Sequence, residues 1–392
     1  MNNYCVLPFN SVSINAEGGI RQCCNAHGVV SKTYVGYDDT LNNKFIKEIR
    51  QAFINDKRHS ACDRCWKMED AGTRSFRQYA NNDEDYGVRG KALLLKPEIK
   101  YHDIEYIDIT LGNTCNLACR MCNPYSSSLV AKQMKELKLY SGPTDITLES
   151  AAKQKVIELF SNAINLKKVY LLGGEPLINE MHDEILDLLI DIGVAKNIVL
   201  HYNTNLQVNK LSTYLEKWNH FKKIDIQASI DGHGTVYEYI RWPGKWDKLY
   251  KNLFEIVSST DPFKYNIGIA ATIQNINAEN MFDLLDACSI MDNKKVPFFF
   301  IPVTGNSTLD LTPKHILEKG IEKIQTLKKT LGPVDDLYGN YQRALATTPS
   351  AKQAKEFFRD MQMYDIKRGQ NLFDTIPFME EVANNFNIKT WH

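Results

Sequence analysis

The sequence predicts an α/β protein: a partial (βα)6 barrel, preceded by a small cysteine-rich module and followed by a helical tail. Three observations carry this: strand–helix alternation from about residue 101, its repetition over six units, and two separate groups of cysteines. Six βα units imply a parallel sheet with helices on its outer face. They fall short of the eight that close a full barrel, so an open barrel is expected. The expected domains are residues 1–100, 101–303 and 304–392.

Composition sets the bounds. The 392 residues are 24% charged and 43% hydrophobic, which describes a globular chain with an ample core and excludes disorder and collagen-like repeats. Forty-seven Lys+Arg balance 47 Asp+Glu, and a net charge of zero argues against nucleic acid as the main partner. No apolar run is long enough to span a bilayer, so no membrane partner is expected. The first residues show no basic segment followed by an apolar stretch, and a cytoplasmic chain is the expectation.

In the module, residues 11–15 and 20–23 flank Ala16-Glu17-Gly18-Gly19, a hairpin turn. A helix follows, opened by Asp38, Asp39 or Thr40, with Leu41, Phe45, Ile46, Ile49, Ala52 and Phe53 at three- and four-residue spacing. The polar residues 77–91 read as a boundary segment. Barrel strands are expected at 104–110, 168–172, 197–202, 224–230, 265–273 and 296–302, with helices at 126–139, 180–192, 209–218, 245–257 and 278–290. Beyond Pro302 the chain reads helical: Thr312-Pro313 opens one helix and Gly332-Pro333 ends it. No chemistry is visible in this tail.

Nine cysteines are present. Cys5, Cys23, Cys24, Cys62 and Cys65 lie in the module, Cys115, Cys119 and Cys122 share one loop, and Cys288 sits in an apolar helical pattern that suits buried packing. In a reducing compartment this grouping points to metal or redox chemistry rather than disulfides. The C-x3-C-x2-C loop directly follows the first strand, where parallel α/β folds collect their chemistry. Three thiolates can hold three irons of a cubane cluster and leave the fourth iron open to a small molecule. A three-cysteine zinc site, or chance grouping, is the alternative.

This loop resembles the defining motif of the radical S-adenosylmethionine (SAM) superfamily. The resemblance extends to Gly173-Gly174-Glu175-Pro176 after the second strand, Asn203-Thr204-Asn205 after the third, Ser229-Ile230-Asp231-Gly232 after the fourth, and Arg241. It implies that Cys115, Cys119 and Cys122 hold a [4Fe–4S] cluster that binds SAM. Gly173, Gly174 and Glu175 would lie beside the methionine amino group, where glycines allow close backbone approach and a carboxylate suits an ammonium. Ser229 and Arg241 would take the SAM carboxylate; an ordinary surface arginine is the bland reading of Arg241. Asn205 would join the site or simply cap the next helix. The chain departs from the family twice, with Leu206 where glycine is usual and Met121 where many members place an aromatic residue near adenine.

Cys5-x17-Cys23-x38-Cys62-x2-Cys65 resembles the twitch module, the short form of the SPASM domain, which carries an auxiliary [4Fe–4S] cluster. In those families the module usually follows the barrel; here it comes first. Either Cys23 or Cys24 completes the set, with Cys23 at the family spacing, and structural zinc is the competing occupant.

The resemblance thus implies an enzyme, a radical SAM oxidoreductase or maturase. It would cleave SAM reductively to a 5′-deoxyadenosyl radical and abstract a hydrogen atom from a peptide or small-molecule substrate, for a net oxidation or cross-link. Flavodoxin or ferredoxin would be the electron donor. The alternatives are a small-molecule dehydrogenase acting on an alcohol or amino sugar and, from a different class, a zinc-stabilised non-catalytic binding protein.

Overall fold

The computed structural model of the chain describes residues 3–26, 41–87, 96, 98–331 and 334–391. Six parallel strands form its centre: β3 (Tyr106–Thr110), β4 (Lys168–Leu172), β5 (Val199–Thr204), β6 (Lys223–Ser229), β7 (Tyr265–Ile273) and β10 (Phe298–Pro302). The expected six-stranded parallel arrangement is present, with ends shifted by two residues or fewer. Strand order in the full sheet is β10-β7-β6-β5-β4-β3-β1-β2, an open order that starts and ends on different strands.

The module's hairpin, β1 (Ser11–Ile14) and β2 (Ile20–Arg21), extends this sheet. β1 runs parallel to β3, pairing Ser13 with Asp108, and β2 runs antiparallel to β1. Asn15 makes the turn: its side-chain oxygen accepts from the Glu17 and Gly19 amides, and Gly18 takes φ +79°. A module that comes first in the chain is thereby docked on the first barrel strand.

Burial alternates along the strands, most clearly along β6. Outward residues such as Ile107, Ile109, Val169, Leu171, Leu200, Tyr202, Ile224 and Ile226 are buried under the helices. Inward residues such as Tyr170, His201, Asn203, Asp225, Gln227 and Ser229 are half-buried. Parallel strands covered on both faces read as continuous apolar runs. Alternation here means that the inner face is a polar concavity.

Several helices lie where expected, including Glu180–Asp191, Leu211–Trp218, Trp246–Ser259 and Met281–Cys288. Ser127 caps Ser128–Glu136 by accepting from the Val130 amide at 3.2 Å, and Asn179 caps Glu180–Asp191. A second helix between β3 and β4, Ser150–Asn162, is absent from the sequence reading. Its signal lies in Ala152, Val156, Leu159 and Phe160, all buried, but lysines and glutamine dilute it. Gly234–Ile240 and the short β8–β9 hairpin (Ile290–Met291, Lys294–Lys295) are also additional.

Two expectations for the module are corrected. The helix there is Lys44–Ile54, opened by Asn43, whose side chain accepts from the Ile46 amide. Residues 38–40 lie outside the described residues. Residues 77–87 are not a loose boundary, because Arg77 and Asn81 are buried and hold the start of the chain. Both donate to the Tyr4 carbonyl, and Asn81 accepts from the Val6 amide, fixing the backbone around Cys5.

The tail is helical, with Lys314–Leu331, Asp335–Ala346, Ala351–Arg368, Leu372–Thr375 and Met379–Asn385. The first follows Pro313 as expected; its terminator, residues 332–333, lies outside the described residues. Phe357, Phe358, Met361, Leu372, Phe373 and Met379 form one apolar cluster with Val236, Tyr239 and Ile240, packing the tail on the barrel. Cys288 is fully buried in the main core. Among the described residues no helix is long and apolar enough to cross a membrane.

Candidate active site

The cysteine loop leaves β3 at the carboxyl edge of the sheet. Its backbone is anchored on the segment around Arg241: the Ala118 amide donates to the Trp242 carbonyl at 2.7 Å, and the Arg120 amide to Ile240 at 2.9 Å. Ser127 donates to the Leu117 carbonyl at 2.7 Å. Burial pushes the thiols of Cys115 and Cys119 up to about 11 and about 12, and the Cys122 thiol upward too. For Cys119, the nearby Arg241 charge opposes this.

The Gly-Gly-Glu-Pro turn lies directly against that loop. Gly173 (φ +95°) and Gly174 (φ +50°) take backbone conformations that favour glycine. A Cβ on Gly173 would overlap the Gly112 carbonyl oxygen, and one on Gly174 the Thr114 carbonyl oxygen. The two glycines therefore let one loop approach the other, a closer constraint than ligand approach. Glu175 is turned inward. Its carboxylate accepts from the Thr204 hydroxyl (2.6 Å), the Asn205 amide (2.6 Å) and the Leu177 amide (3.2 Å). Burial raises its pKa to about 7 against these donors. With both oxygens engaged, Glu175 ties the end of β4 to the end of β5, and its carboxylate is not free for an ammonium.

Asn205 reaches the cysteine loop. Its amide nitrogen donates to Asn116 at 2.9 Å and lies 3.9 Å from the Cys115 sulfur, while its oxygen accepts from the Gln207 amide. Leu206, where the family resemblance expects glycine, has φ +53° and is fully buried. The position demands the left-handed backbone, and burial of the leucine side chain in the core offsets its strain.

Arg241 is not a surface arginine. It is 9% exposed, its Nε donates to Asp231 at 2.7 Å, and its Nη1 lies 3.8 Å from the Cys119 sulfur. Asp231 also accepts from the Thr272 amide. Ser229 stands half-buried at the inner end of β6. Met121 packs, half-buried, against the cluster that contains the tail helices.

Sequence reading misses one element of the loop. Arg120 and Asp365, both side chains 1% exposed, form an ion pair at 2.6 Å. The guanidinium stacks on Tyr239 at 3.5 Å and donates to the Tyr239 carbonyl. Asp365 also accepts from the Leu372 amide and the Trp391 indole. The tail, in which the sequence shows no chemistry, thus clamps the residue that follows Cys119. An arginine inside a three-cysteine motif was the available signal; its partner 245 residues away had none.

In the module, Cys5, Cys23, Cys62 and Cys65 share one neighbourhood. Burial raises the Cys5 thiol, with Cys62 and Cys65 adding to it, and burial raises Cys23, with Cys5 and Cys62 adding. Cys24 faces elsewhere. Burial pushes it up to about 12, and its next influence is Asp108, to which its thiol hydrogen-bonds. Among the described residues no three His, Cys, Asp or Glu side chains are drawn together tightly enough to hold a single metal ion. Thiolates are soft ligands, so the donor chemistry of both groups fits an iron–sulfur cluster and fits zinc as well.

No protein-family model matches the chain. It is 26% identical over 218 residues to a GTP 3′,8-cyclase of Microcystis aeruginosa, across 53% of this chain and 59% of that protein. It is 25% identical over 166 residues to a GTP 3′,8-cyclase of Alkaliphilus oremlandii, across 42% and 47%. The chain thus spans about half the length of these curated relatives. In both sequence and space, the three-cysteine loop stands beside Gly173, Gly174, Asn205 and Arg241 at one edge of a parallel sheet. This arrangement resembles that of the radical SAM superfamily. Solved structures resemble this chain loosely. Native anSMEcpe with bound AdoMet has a TM-score of 0.40 at 14% identity, covering 57% of this chain and 59% of that one. Streptococcus suis SuiB bound to S-adenosylmethionine has 0.39 at 18%, covering 74% and 60%. At these scores the likeness carries no argument about substrate.

Proposed function

We propose that the chain is a radical SAM oxidoreductase or maturase that abstracts a hydrogen atom from a peptide or small-molecule substrate and carries out a net oxidation or cross-link. The observation that carries this reading is Arg241, a buried guanidinium held by Asp231 and set 3.8 Å from the Cys119 sulfur. A fixed positive charge at a three-thiolate loop suits the carboxylate of SAM. Cys115, Cys119 and Cys122 would hold the [4Fe–4S] cluster, with Ser229 beside the carboxylate, the Gly173-Gly174 backbone and Asn205 near the amino group, and Met121 toward adenine. When bound, the cluster and SAM supply the 5′-deoxyadenosyl radical. These residues would fix SAM in one orientation, and the tail helices hold the loop through Asp365 and Arg120.

Cys5, Cys23, Cys62 and Cys65 would hold an auxiliary [4Fe–4S] cluster as a twitch-like module within residues 1–100. Four thiolates leave it no open iron, which favours electron relay over substrate binding. Flavodoxin or ferredoxin is the proposed electron donor. The GTP in the relatives' name is not carried over, because the chain spans only about half the length of those relatives.

The test is anaerobic. The reconstituted protein, given SAM and dithionite, should release 5′-deoxyadenosine, and Cys119→Ala should abolish it. Release at the wild-type rate from Cys119→Ala would overturn the assignment. A colourless protein containing zinc would favour the binding-protein alternative.

A further inference from the structure

Three guanidiniums stand around the cysteine loop, and they differ in what balances their charge. Arg241 is paired with Asp231 and Arg120 with Asp365. Arg368, the last residue of the tail helix Ala351–Arg368, has no carboxylate. Its Nε and Nη2 both donate to one neutral atom, the Oε1 of buried Gln133, at 3.3 and 2.8 Å. Its Nη1 is buried and has no hydrogen-bond partner among the described residues. The acids nearest it along the two helices are committed elsewhere, Glu136 to Lys367 and Asp365 to Arg120, each at 2.6 Å.

Arg368 sits in the layer directly behind the loop. Its guanidinium lies 4.5 Å from the Tyr364 ring and 5.3 Å from the Trp242 ring. The same Tyr364 ring lies 6.0 Å from Arg120, which follows Cys119, and the Trp242 carbonyl holds the Ala118 amide. Aromatic faces attract a guanidinium but carry no net charge. The end of its own helix offers only about half a negative charge. Burial, and after it the Arg120 charge, lowers the Arg368 pKa to about 10, which leaves it protonated at neutral pH. Three groups would favour its charge by being negative: Tyr364, Cys119 and Tyr239. Burial holds both tyrosines above their ordinary range, so they stay neutral. That leaves Cys119, which is negative when it ligates a metal.

We propose that Arg368 is the counter-charge of the three-cysteine loop and raises the reduction potential of the iron–sulfur cluster held there, with Gln133 as the neutral acceptor that leaves this charge uncancelled. The inference rests on the proposed function for the presence of that cluster, and adds the residue that sets its potential. Uptake of one electron from a low-potential donor makes the loop more negative by one charge, and a fixed cation nearby favours that state. A unit charge acting across about 10 Å at an effective dielectric of about 20 changes such an equilibrium roughly tenfold. Arg120 is cancelled by Asp365, and Arg241 by Asp231. Packing alone does not account for glutamine at position 133. A glutamate has the same shape, could accept from the same two donors, and would do so with charge assistance.

The test is a redox titration of the reconstituted, full-length protein, followed by electron paramagnetic resonance on the reduced-cluster signal that added SAM perturbs. Arg368→Gln and Gln133→Glu should each disfavour the reduced form roughly tenfold, about 59 mV toward negative potential for one electron. Arg368→Lys, which keeps the charge, should stay near the wild type. Gln133→Glu preserves shape, so a role in packing alone predicts no shift from it. Should Arg368→Gln fail to fold, Gln133→Glu carries the same comparison. A change of less than twofold in both Arg368→Gln and Gln133→Glu would overturn the inference; with 5′-deoxyadenosine still released, the proposed function would stand. Shifted potentials without 5′-deoxyadenosine in any condition would uphold the role of Arg368 and overturn the proposed function. A loop that holds zinc, or gives no SAM-sensitive signal, would overturn both.

Discussion

Replacing Asp365 with alanine is expected to destabilise the protein by about 3–5 kcal/mol, the cost of stranding one member of a buried ion pair. The structure argues for that range because both side chains are 1% exposed, leaving Arg120 no water to turn to. It would keep its stacking on Tyr239 and its bond to the Gln370 side chain at 3.0 Å, neither of which neutralises the charge. The Leu372 amide and the Trp391 indole would lose an acceptor as well, adding roughly 1–3 kcal/mol if no water replaces it. Urea unfolding of Asp365→Ala, Arg120→Met and the double variant measures the effect at constant slope. The double variant should cost less than the sum of the single ones by about 2 kcal/mol, because removing both partners leaves no uncompensated charge. Since Arg120 follows Cys119, Asp365→Ala should also take up less iron below its unfolding temperature. A loss under about 1 kcal/mol for Asp365→Ala, or additivity within about 0.5 kcal/mol, would refute the clamp.

Three further outcomes follow from the geometry. Cys23→Ala should bind about four irons fewer than the wild type and Cys24→Ala the same number, because Cys24 faces Asp108 rather than Cys5 and Cys62; iron analysis decides it. Gly174→Ala should lower the melting temperature and lose the cluster of the C-x3-C-x2-C loop, as its Cβ would overlap the Thr114 carbonyl; an unchanged melt would contradict the contact. Burial raises the Asp108 pKa from 3.8 to about 7, so the folded chain keeps a proton that the unfolded chain releases over that interval. The stability from that proton is complete at acid pH and is lost as pH rises through about 7. In iron-free protein, urea midpoints should therefore fall between pH 5 and 8 more for wild type than for Asp108→Asn; equal slopes would show that Asp108 does not titrate there.

Much of the candidate site is legible along the chain because its parts are local. The three thiols share one loop, Gly173, Gly174 and Glu175 are consecutive, and each group follows a strand whose alternation is visible. Even the exception at Leu206 is informative, since its left-handed backbone is the physical reason that glycine is expected there. The side-chain direction of Glu175 was not legible. A carboxylate beside two glycines looks free for a ligand, but burial between β4 and β5 commits it to Thr204 and Asn205.

What the amino-acid order determined by itself was the strand–helix alternation, the hairpin of the module and the placement of the cysteines, because periodicity and turn chemistry act over a few residues. Only the folded chain decided which distant groups meet: Arg120 with Asp365, Cys24 with Asp108, and the module's first strand with β3. Such pairings depend on the curvature of the sheet and on the register between strands. A polar residue's partner is set by what the fold brings within about 3 Å, not by its neighbours in sequence.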